Sequence, residues 1–263
     1  MSARFPPNIQ FLEEVTTTME VARAMVATAG GKPFGVVGAV QTTGRGTGGR
    51  VWASPKGNMY MTLGIPQSAE PACFKEELLP VLSLICGLAC RRAVLEVLRL
   101  DAASAAASVA ADAAAAVCTK WPNDLIFRHK KIGGTLIESD DGYFIIGMGM
   151  NVSVAPQVTD AGREATTINA IAEEFGVPPC TPQQLATAIW GHFFTMCTAP
   201  ESTRASVIEE FDNTMDKSLK LHKRLAGGRD TEELTALSLN SWGHLKVLHT
   251  DGTTEELSAD YLF

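Results

Sequence analysis

The residues best suited to chemistry gather first in Gly44-Arg45-Gly46-Thr47-Gly48-Gly49-Arg50. Glycines at this density permit positive φ and leave backbone N–H groups free for oxyanions. Two guanidinium forks beside them can grip a phosphate or a carboxylate bidentately. Gly44, Gly46 and Gly49 formally spell the G-x-G-x-x-G dinucleotide signature. That signature requires the loop to open straight into a helix whose N-terminus faces the pyrophosphate. Here Pro55 and Gly57 follow within a few residues, and the next regular stretch reads as a strand. The G-K-[ST] ending of a phosphate-binding P-loop is missing as well. Both nucleotide-fold readings fail on context. What stays open is a loop that approaches a ligand closely, or a surface loop with solvated arginines.

Two further clusters follow. Lys120-Trp121-Pro122-Asn123-Asp124 puts a lysine at the end of an apolar strand, beside an indole, with a proline fixing the turn. Such a lysine is either a compact cation aimed into a cavity or an ordinary snorkelling side chain. Lys130 and Lys131, followed by Ile132-Gly133-Gly134, add two cations in a short hairpin, where solvation is the default. In Gly147-Met148-Gly149-Met150-Asn151 small residues alternate with methionines, so one face of a strand lacks side chains. A flat ligand would fit there, and so would a closely packed helix.

The elements that must hold these residues are legible in outline. Residues 34–41 read as a buried strand feeding the glycine loop, and 58–65 as another. Residues 80–99 are apolar around most of the circumference for three turns, and Pro80 suits a first turn, so they predict a largely buried helix. Residues 101–116 are alanine-dominated, with high helix propensity and nothing bulky to bury. They read as a surface insertion that extends that helix or frays. Residues 117–122 return to a strand. Residues 133–138 and 143–152 pair through an Asp140-Asp141-Gly142 turn. Helices are predicted near 166–175, 182–197 and 201–214, with Thr181 as N-cap and Pro182 first inside. Short strands at 218–221, 233–240, 245–249 and 254–258, with turns at Gly227-Gly228 and Asp251-Gly252, make a small all-β module. The expected class is α+β, a mixed sheet with packed helices over 1–215 and the β module over 216–263.

Composition narrows the function. The 263 residues suffice for one sizeable core and a small second domain. A net charge of −7 and no helix-turn-helix segment argue against a nucleic-acid partner. No apolar run reaches the roughly 18 residues of a membrane span. The N-terminal segment lacks the marks of a signal or transit peptide, so a cytoplasmic protein is expected. Cys73, Cys86, Cys90, Cys118, Cys180 and Cys197 form no C-x-x-C pair and lie mostly in apolar runs, as buried reduced thiols do. The five histidines show no ligand spacing beside them, so no metal held by the protein is expected.

Taken together the motifs are more specific than any one of them. Q-T-T-G-R-G-T-G-G-R-V-W-A-S-P-K-G-N (41–58), K-W-P-N-D (120–124), K-I-G-G-T-L-I-E (131–138) and G-M-G-M-N-V (147–152) occur in order. This set resembles the biotin–protein ligase family, also called holocarboxylase synthetases, over about residues 10–263. The resemblance implies a class II aminoacyl-tRNA synthetase/biotin ligase-like catalytic domain and an SH3-like C-terminal β-barrel. It also implies an ATP-dependent ligase that makes biotinyl-5′-AMP from biotin and MgATP. Biotin would then pass to a lysine on the biotin carboxyl carrier domains of carboxylases, including acetyl-CoA carboxylase. The cofactors implied are ATP and Mg²⁺. Lipoate ligases share the fold, so a lipoate or octanoate ligase or transferase is the alternative; the K-W-P-N-D and G-R-G-x-x-G pair favours biotin.

Carried over position by position, the resemblance assigns roles. Thr17 and Thr18, with Met19 next, would meet the biotin ureido group, and Gln41 would line the biotin pocket. Gly44, Gly46, Gly134, Gly147 and Gly149 complete the biotin side. Arg45 and Lys120 would bridge the biotin carboxylate and the α-phosphate. Gly46, Thr47, Arg50, Trp52, Asn123, Lys131 and Asn151 fall on the nucleotide side. Arg45, Lys120, Lys131 and Asp124 are the catalytic set, with Asp124 placed to meet the incoming carrier lysine. Attack of a carboxylate on an α-phosphorus joins two anions, so fixed cations suit the task. Two departures stand out. Thr47 occupies a position where many members carry arginine. The motifs begin near residue 16, so a DNA-binding domain ahead of them is not expected, and the protein is expected to be a ligase without repressor function.

Overall fold

The computed structural model describes residues 5–68, 72–101, 103, 105–156, 164–225, 228–229 and 231–258. A seven-stranded mixed sheet forms its centre, built from β1 (Ile9–Val15), β2 (Phe34–Gln41), β3 (Met59–Pro66), β4 (Val117–Lys120), β5 (Asp124–Phe127), β6 (Lys130–Asp140) and β7 (Tyr143–Met150). The strands run in the order β1-β2-β3-β7-β6-β5-β4, parallel between β1 and β2 and antiparallel elsewhere. One face carries α1 (Thr18–Val26), whose Met19, Ala22 and Val26 pack on Phe34, Val36, Tyr143 and Ile145. The other carries the main core, where α2 (Leu82–Val97) lies against α5 (Pro182–Thr198). Strand alternation divides β7 between the two: Met148 and Met150 enter the main core, and Ile145 joins the α1 face.

Several elements differ from their sequence-based outlines for identifiable reasons. The pair β1 and α1 was not among the predicted elements. Thr17, in extended backbone, accepts a hydrogen bond from the Glu20 amide, so the T-x-x-E spacing at 17–20 marked this helix start. The helix predicted over 80–99 splits: Pro80 sits in a 3₁₀ segment, Glu76–Val81, and α2 follows as a separate helix. Together they form a stretch long and apolar enough to cross a membrane by length and composition, which corrects the expectation that no such run exists. Of its most apolar window 78% is buried inside the protein, so core packing accounts for its character.

The alanine-rich segment is likewise corrected. It forms its own helix, α3 (Ala107–Ala116), separated from α2 by a turn in which Arg99 has φ 54°. Its Ala113 is fully buried, and the buried Arg91 of α2 donates to the carbonyls of Ala114 and Val117. Small side chains let this helix sit close, so one face is core and not surface. Strand β5 was missed because its hairpin turns at Arg128 and His129, whose φ of 45° and 67° carry no glycine or asparagine signal.

The later helices are α4 (Ile168–Glu174), α5 and α6 (Arg204–Thr214), the last two opened by capping boxes at Thr181 and Thr203. The C-terminal strands are β8 (Lys220–Leu221), β9 (Arg224–Leu225), β10 (Gly228–Arg229), β11 (Leu234–Leu239), β12 (Leu245–Leu248) and β13 (Thr254–Leu257). They form a small antiparallel sheet, β13-β12-β11-β8, and a β9–β10 pair. Gly227 of the predicted turn lies outside the described residues. Leu221, Leu234, Leu245 and Val247 of this module join the main core, and Trp121 Nε1 donates to Gly243 O at 2.9 Å. All six cysteines are free; five are buried and Cys118 is half-buried. Burial pushes the Cys180 thiol up to about 11 and that of Cys90 up to about 12, which keeps both protonated.

Candidate active site

The site begins where β2 runs out. Beyond Gln41 the chain folds into a loop closed on itself: Gly46 N donates to Arg50 O at 2.7 Å, and Trp52 N to Gly44 O at 2.9 Å. Gly48 and Gly49 have φ of 65° and 74°, which the tight 3₁₀ turn at its tip requires. Gly44 serves close approach instead, since a Cβ there would lie 2.4 Å from Trp52 O and 2.5 Å from Ser54 Oγ.

A run of hydrogen bonds ties this loop to α1 and the sheet. Thr62 Oγ1 lies 2.8 Å from Thr18 Oγ1, which lies 3.1 Å from Gln41 Oε1. The Thr18 amide donates to the same Gln41 oxygen at 2.9 Å. Gln41 Nε2 in turn donates to Ser54 Oγ, and Ser54 to Trp52 O, each at 2.9 Å. The helix start, the strand end and the tryptophan are therefore joined in one hydrogen-bonded network.

The floor is the glycine face of β6 and β7. Gly134 and Gly149 are register partners, and Gly147 lies opposite Leu136. A Cβ on Gly147 would lie 3.0 Å from Met19 Sδ, and one on Gly149 would lie 2.6 Å from the Trp52 indole. The alternation of glycine and methionine thus serves two purposes: the α1 start and the Trp52 ring come down onto the strand, and a slot is left between them. Trp52 Nε1 is buried with no acceptor among the described residues. Lys131 Nζ stands over the Trp52 ring at 5.1 Å.

Charge concentrates around Asp124 and along the glycine loop. Asp124 Oδ1 meets Lys131 Nζ at 2.8 Å and Oδ2 meets Lys120 Nζ at 3.4 Å, so one carboxylate is shared by two ammoniums. Lys120 and Asp124 have side chains only 6% and 13% exposed, where such pairs are screened little. Arg50 donates from Nε to Thr47 O at 2.9 Å and from Nη2 to the Thr47 hydroxyl, placing its guanidinium beside position 47. Arg45 Nη2 pairs with Glu20 Oε1 at 3.1 Å.

Many of these groups line one cleft of about 590 Å³, open solvent included. Of the residues singled out in the sequence, Thr17, Thr18, Met19, Gln41, Arg45, Gly46, Thr47, Arg50, Trp52, Asn123, Asp124, Lys131, Gly134, Gly147 and Gly149 all border it. Gly44, Lys120 and Asn151 do not. Lys120 is buried and pairs with Asp124, which does border the cleft. Asn151 is buried and donates to the carbonyls of Lys131 and Thr166 at 3.4 and 3.3 Å, fixing the strand that carries Lys131. Sequence reasoning passed over Tyr60, Thr62 and Asn58. The Tyr60 hydroxyl donates to Pro55 O at 2.7 Å. Asn58 Oδ1 accepts from the amides of Val152, Ser153 and Val154 at 2.9, 3.1 and 3.0 Å. Polar residues inside apolar strands carry no spacing signal, so nothing in the sequence marked them as support. Among the described residues no three His, Cys, Asp or Glu side chains group as metal ligands.

Comparison with known proteins agrees with this geometry. The profile of the biotin/lipoate A/B protein ligase family matches residues 13–153. The chain is 73% identical to a solved biotin protein ligase from Leishmania major in complex with biotin, covering 97% of this chain and 100% of that one, with a TM-score of 0.82. The same Leishmania protein in complex with biotinyl-5-AMP gives 72% identity and a TM-score of 0.80 over the same shares. A biotin–[acetyl-CoA-carboxylase] ligase of Mycobacterium tuberculosis is 30% identical over 121 residues, 46% of this chain and only 40% of that relative's length.

Proposed function

The chain belongs to the biotin/lipoate A/B protein ligase family, and we propose that it is a biotin–protein ligase. The observation that carries this reading is the make-up of the cleft. Its lining brings the neutral hydrogen-bonding groups Thr18 and Gln41 together with the cations Arg45, Arg50 and Lys131, over a strand face of glycines. A ureido ring suits the neutral groups, and a carboxylate meeting a triphosphate suits the cations.

In the first step a biotin carboxylate oxygen attacks the α-phosphorus of ATP, an O–P bond forms, and pyrophosphate leaves. Lys131 and Arg45 offset the repulsion between the two anions, with Arg50 on the nucleotide side. Lys120 joins them through Asp124, which lies 3.4 Å from its ammonium in the same ionic group. Mg²⁺ enters as part of the nucleotide substrate, held on its phosphates. That fits a cleft whose lining carboxylate, Asp124, is already engaged by two lysines. In the second step the neutral amine of a carrier lysine attacks the acyl carbon, an amide forms, and AMP leaves. The carrier domains of biotin-dependent carboxylases are the proposed acceptors, in line with the name of the mycobacterial relative. We further propose that residues 216–263 act as a distinct SH3-like barrel domain beside a catalytic domain spanning 1–215. The proposed place of action is the cytoplasm.

Biotin-dependent exchange of labelled pyrophosphate into ATP tests the first step directly. Exchange with biotin and none with lipoate or octanoate is expected. Exchange driven by lipoate or octanoate instead would transfer the assignment to the other branch of the family. Addition of a carrier domain should then give its biotinylated form.

A further inference from the structure

Arg45 borders the cleft, yet its guanidinium pairs with carboxylates that do not. Its Nη2 lies 3.1 Å from Glu20 Oε1 and 3.8 Å from Glu138 Oε2, and neither glutamate is part of the cleft lining. Glu20 is the third residue of α1, directly after Thr18 and Met19, which do line it. The ion pair therefore ties the glycine loop to the helix beside the position proposed for the biotin carboxylate. A second arginine shares the acidic side of this group: Arg23 Nη1 lies 2.8 Å from the same Glu20 oxygen, and Arg23 also pairs with Glu138 and with Asp140. Were Arg45 to leave, Glu20 would keep Arg23 and no carboxylate would be stranded. The Arg45 and Glu20 side chains are 42% and 53% exposed, so the pair between them is weak and reversible.

We propose that Glu20 is a positioning residue for Arg45, competing with the substrate carboxylate for its guanidinium. In the ligand-free protein Glu20 holds the guanidinium beside the cleft; biotin takes it over by offering a second anion. The proposal rests on the reading of the cleft as a biotin site. Glu20→Gln removes the competing charge and leaves intact the helix cap, which uses the backbone amide of residue 20.

Calorimetric titration of the intact protein with biotin alone, and separately with the uncharged biotin methyl ester, tests it. The Glu20→Gln variant is expected to bind biotin roughly two- to five-fold more tightly than the unaltered chain, the size of an exposed ion pair. Its affinity for the ester should be unchanged, because the ester offers Arg45 no charge. Unchanged or weaker biotin binding would overturn the proposal, and so would an equal gain for acid and ester. Failure of the unaltered chain to bind biotin at all would instead count against the function proposed above, so the two failures are distinguishable.

Discussion

Asp124 shows how a single side chain can be placed by sequence and given a different emphasis by structure. Its position in K-W-P-N-D suggests a group that meets the incoming carrier lysine. In the fold its carboxylate lies between Lys131 at 2.8 Å and Lys120 at 3.4 Å. Holding the lysines is the role this geometry supports best. Asp124→Asn is accordingly expected to slow adenylate formation on the order of 100-fold, because the buried Lys120 and half-buried Lys131 ammoniums lose their shared partner. Pyrophosphate exchange measures that step; a normal exchange rate with impaired transfer from preformed adenylate would return Asp124 to the role of base. Arg50 is the second case. It stands beside Thr47, where family members often carry arginine, and its guanidinium reaches the Thr47 carbonyl and hydroxyl. Arg50→Ala should therefore release biotinyl-AMP about ten-fold faster, the cost of one charged hydrogen bond. Thr47→Arg should change release by less than about three-fold, since the space is already taken by a guanidinium. Trapping of free adenylate in a stopped-flow experiment reads both rates.

Among the elements, β7 carries the greatest burden. One face packs Met148 and Met150 into the core, and the other offers Gly147 to Met19 and Gly149 to Trp52. Its exit is fixed by Asn58, fully buried on the neighbouring chain segment, whose side-chain oxygen satisfies three successive amides. Asn58→Ala would orphan those amides, and a loss of about 3 kcal/mol in unfolding free energy is expected. Urea denaturation followed by tryptophan fluorescence measures it; a loss below about 1 kcal/mol would mean that solvent replaces the bonds. The α1 start is the second element that matters. Thr17 caps it, Thr18 faces the cleft and Glu20 meets Arg45, so four residues combine a helix terminus, a binding group and an ion pair.

At the scale of the whole molecule, the C-terminal module is joined to the site by the Trp121–Gly243 hydrogen bond and by shared core residues. It also carries its own electrostatic brace. His249 lies between Glu232 and Glu255, and these bonds, Glu232 first, raise its pKa above the ordinary histidine value. A raised folded-state value means that the contribution is complete below the unfolded pKa and disappears as pH rises through the folded one. Amide exchange in β11–β13 should therefore quicken as pH rises from below the ordinary histidine value to well above it, beyond the base-catalysed trend, and His249→Gln should abolish that excess. Exchange that follows the intrinsic trend in both proteins would exclude the brace. Sequence alone determined the motif order, the glycine-faced strand, the late helices and most of the cleft residues, because these depend on side-chain type and short-range spacing. It also exposed Thr47, which no fold was needed to see. Tertiary structure alone decided that Lys120 and Lys131 share the Asp124 carboxylate and that Asn151 is buried against the Lys131 carbonyl. It alone decided that α3 packs a face inward, that Glu20 pairs with Arg45 and that Asn58 holds the amides after β7. Those facts arise from contacts between segments distant in sequence, where burial and pairing, not residue type, set the role.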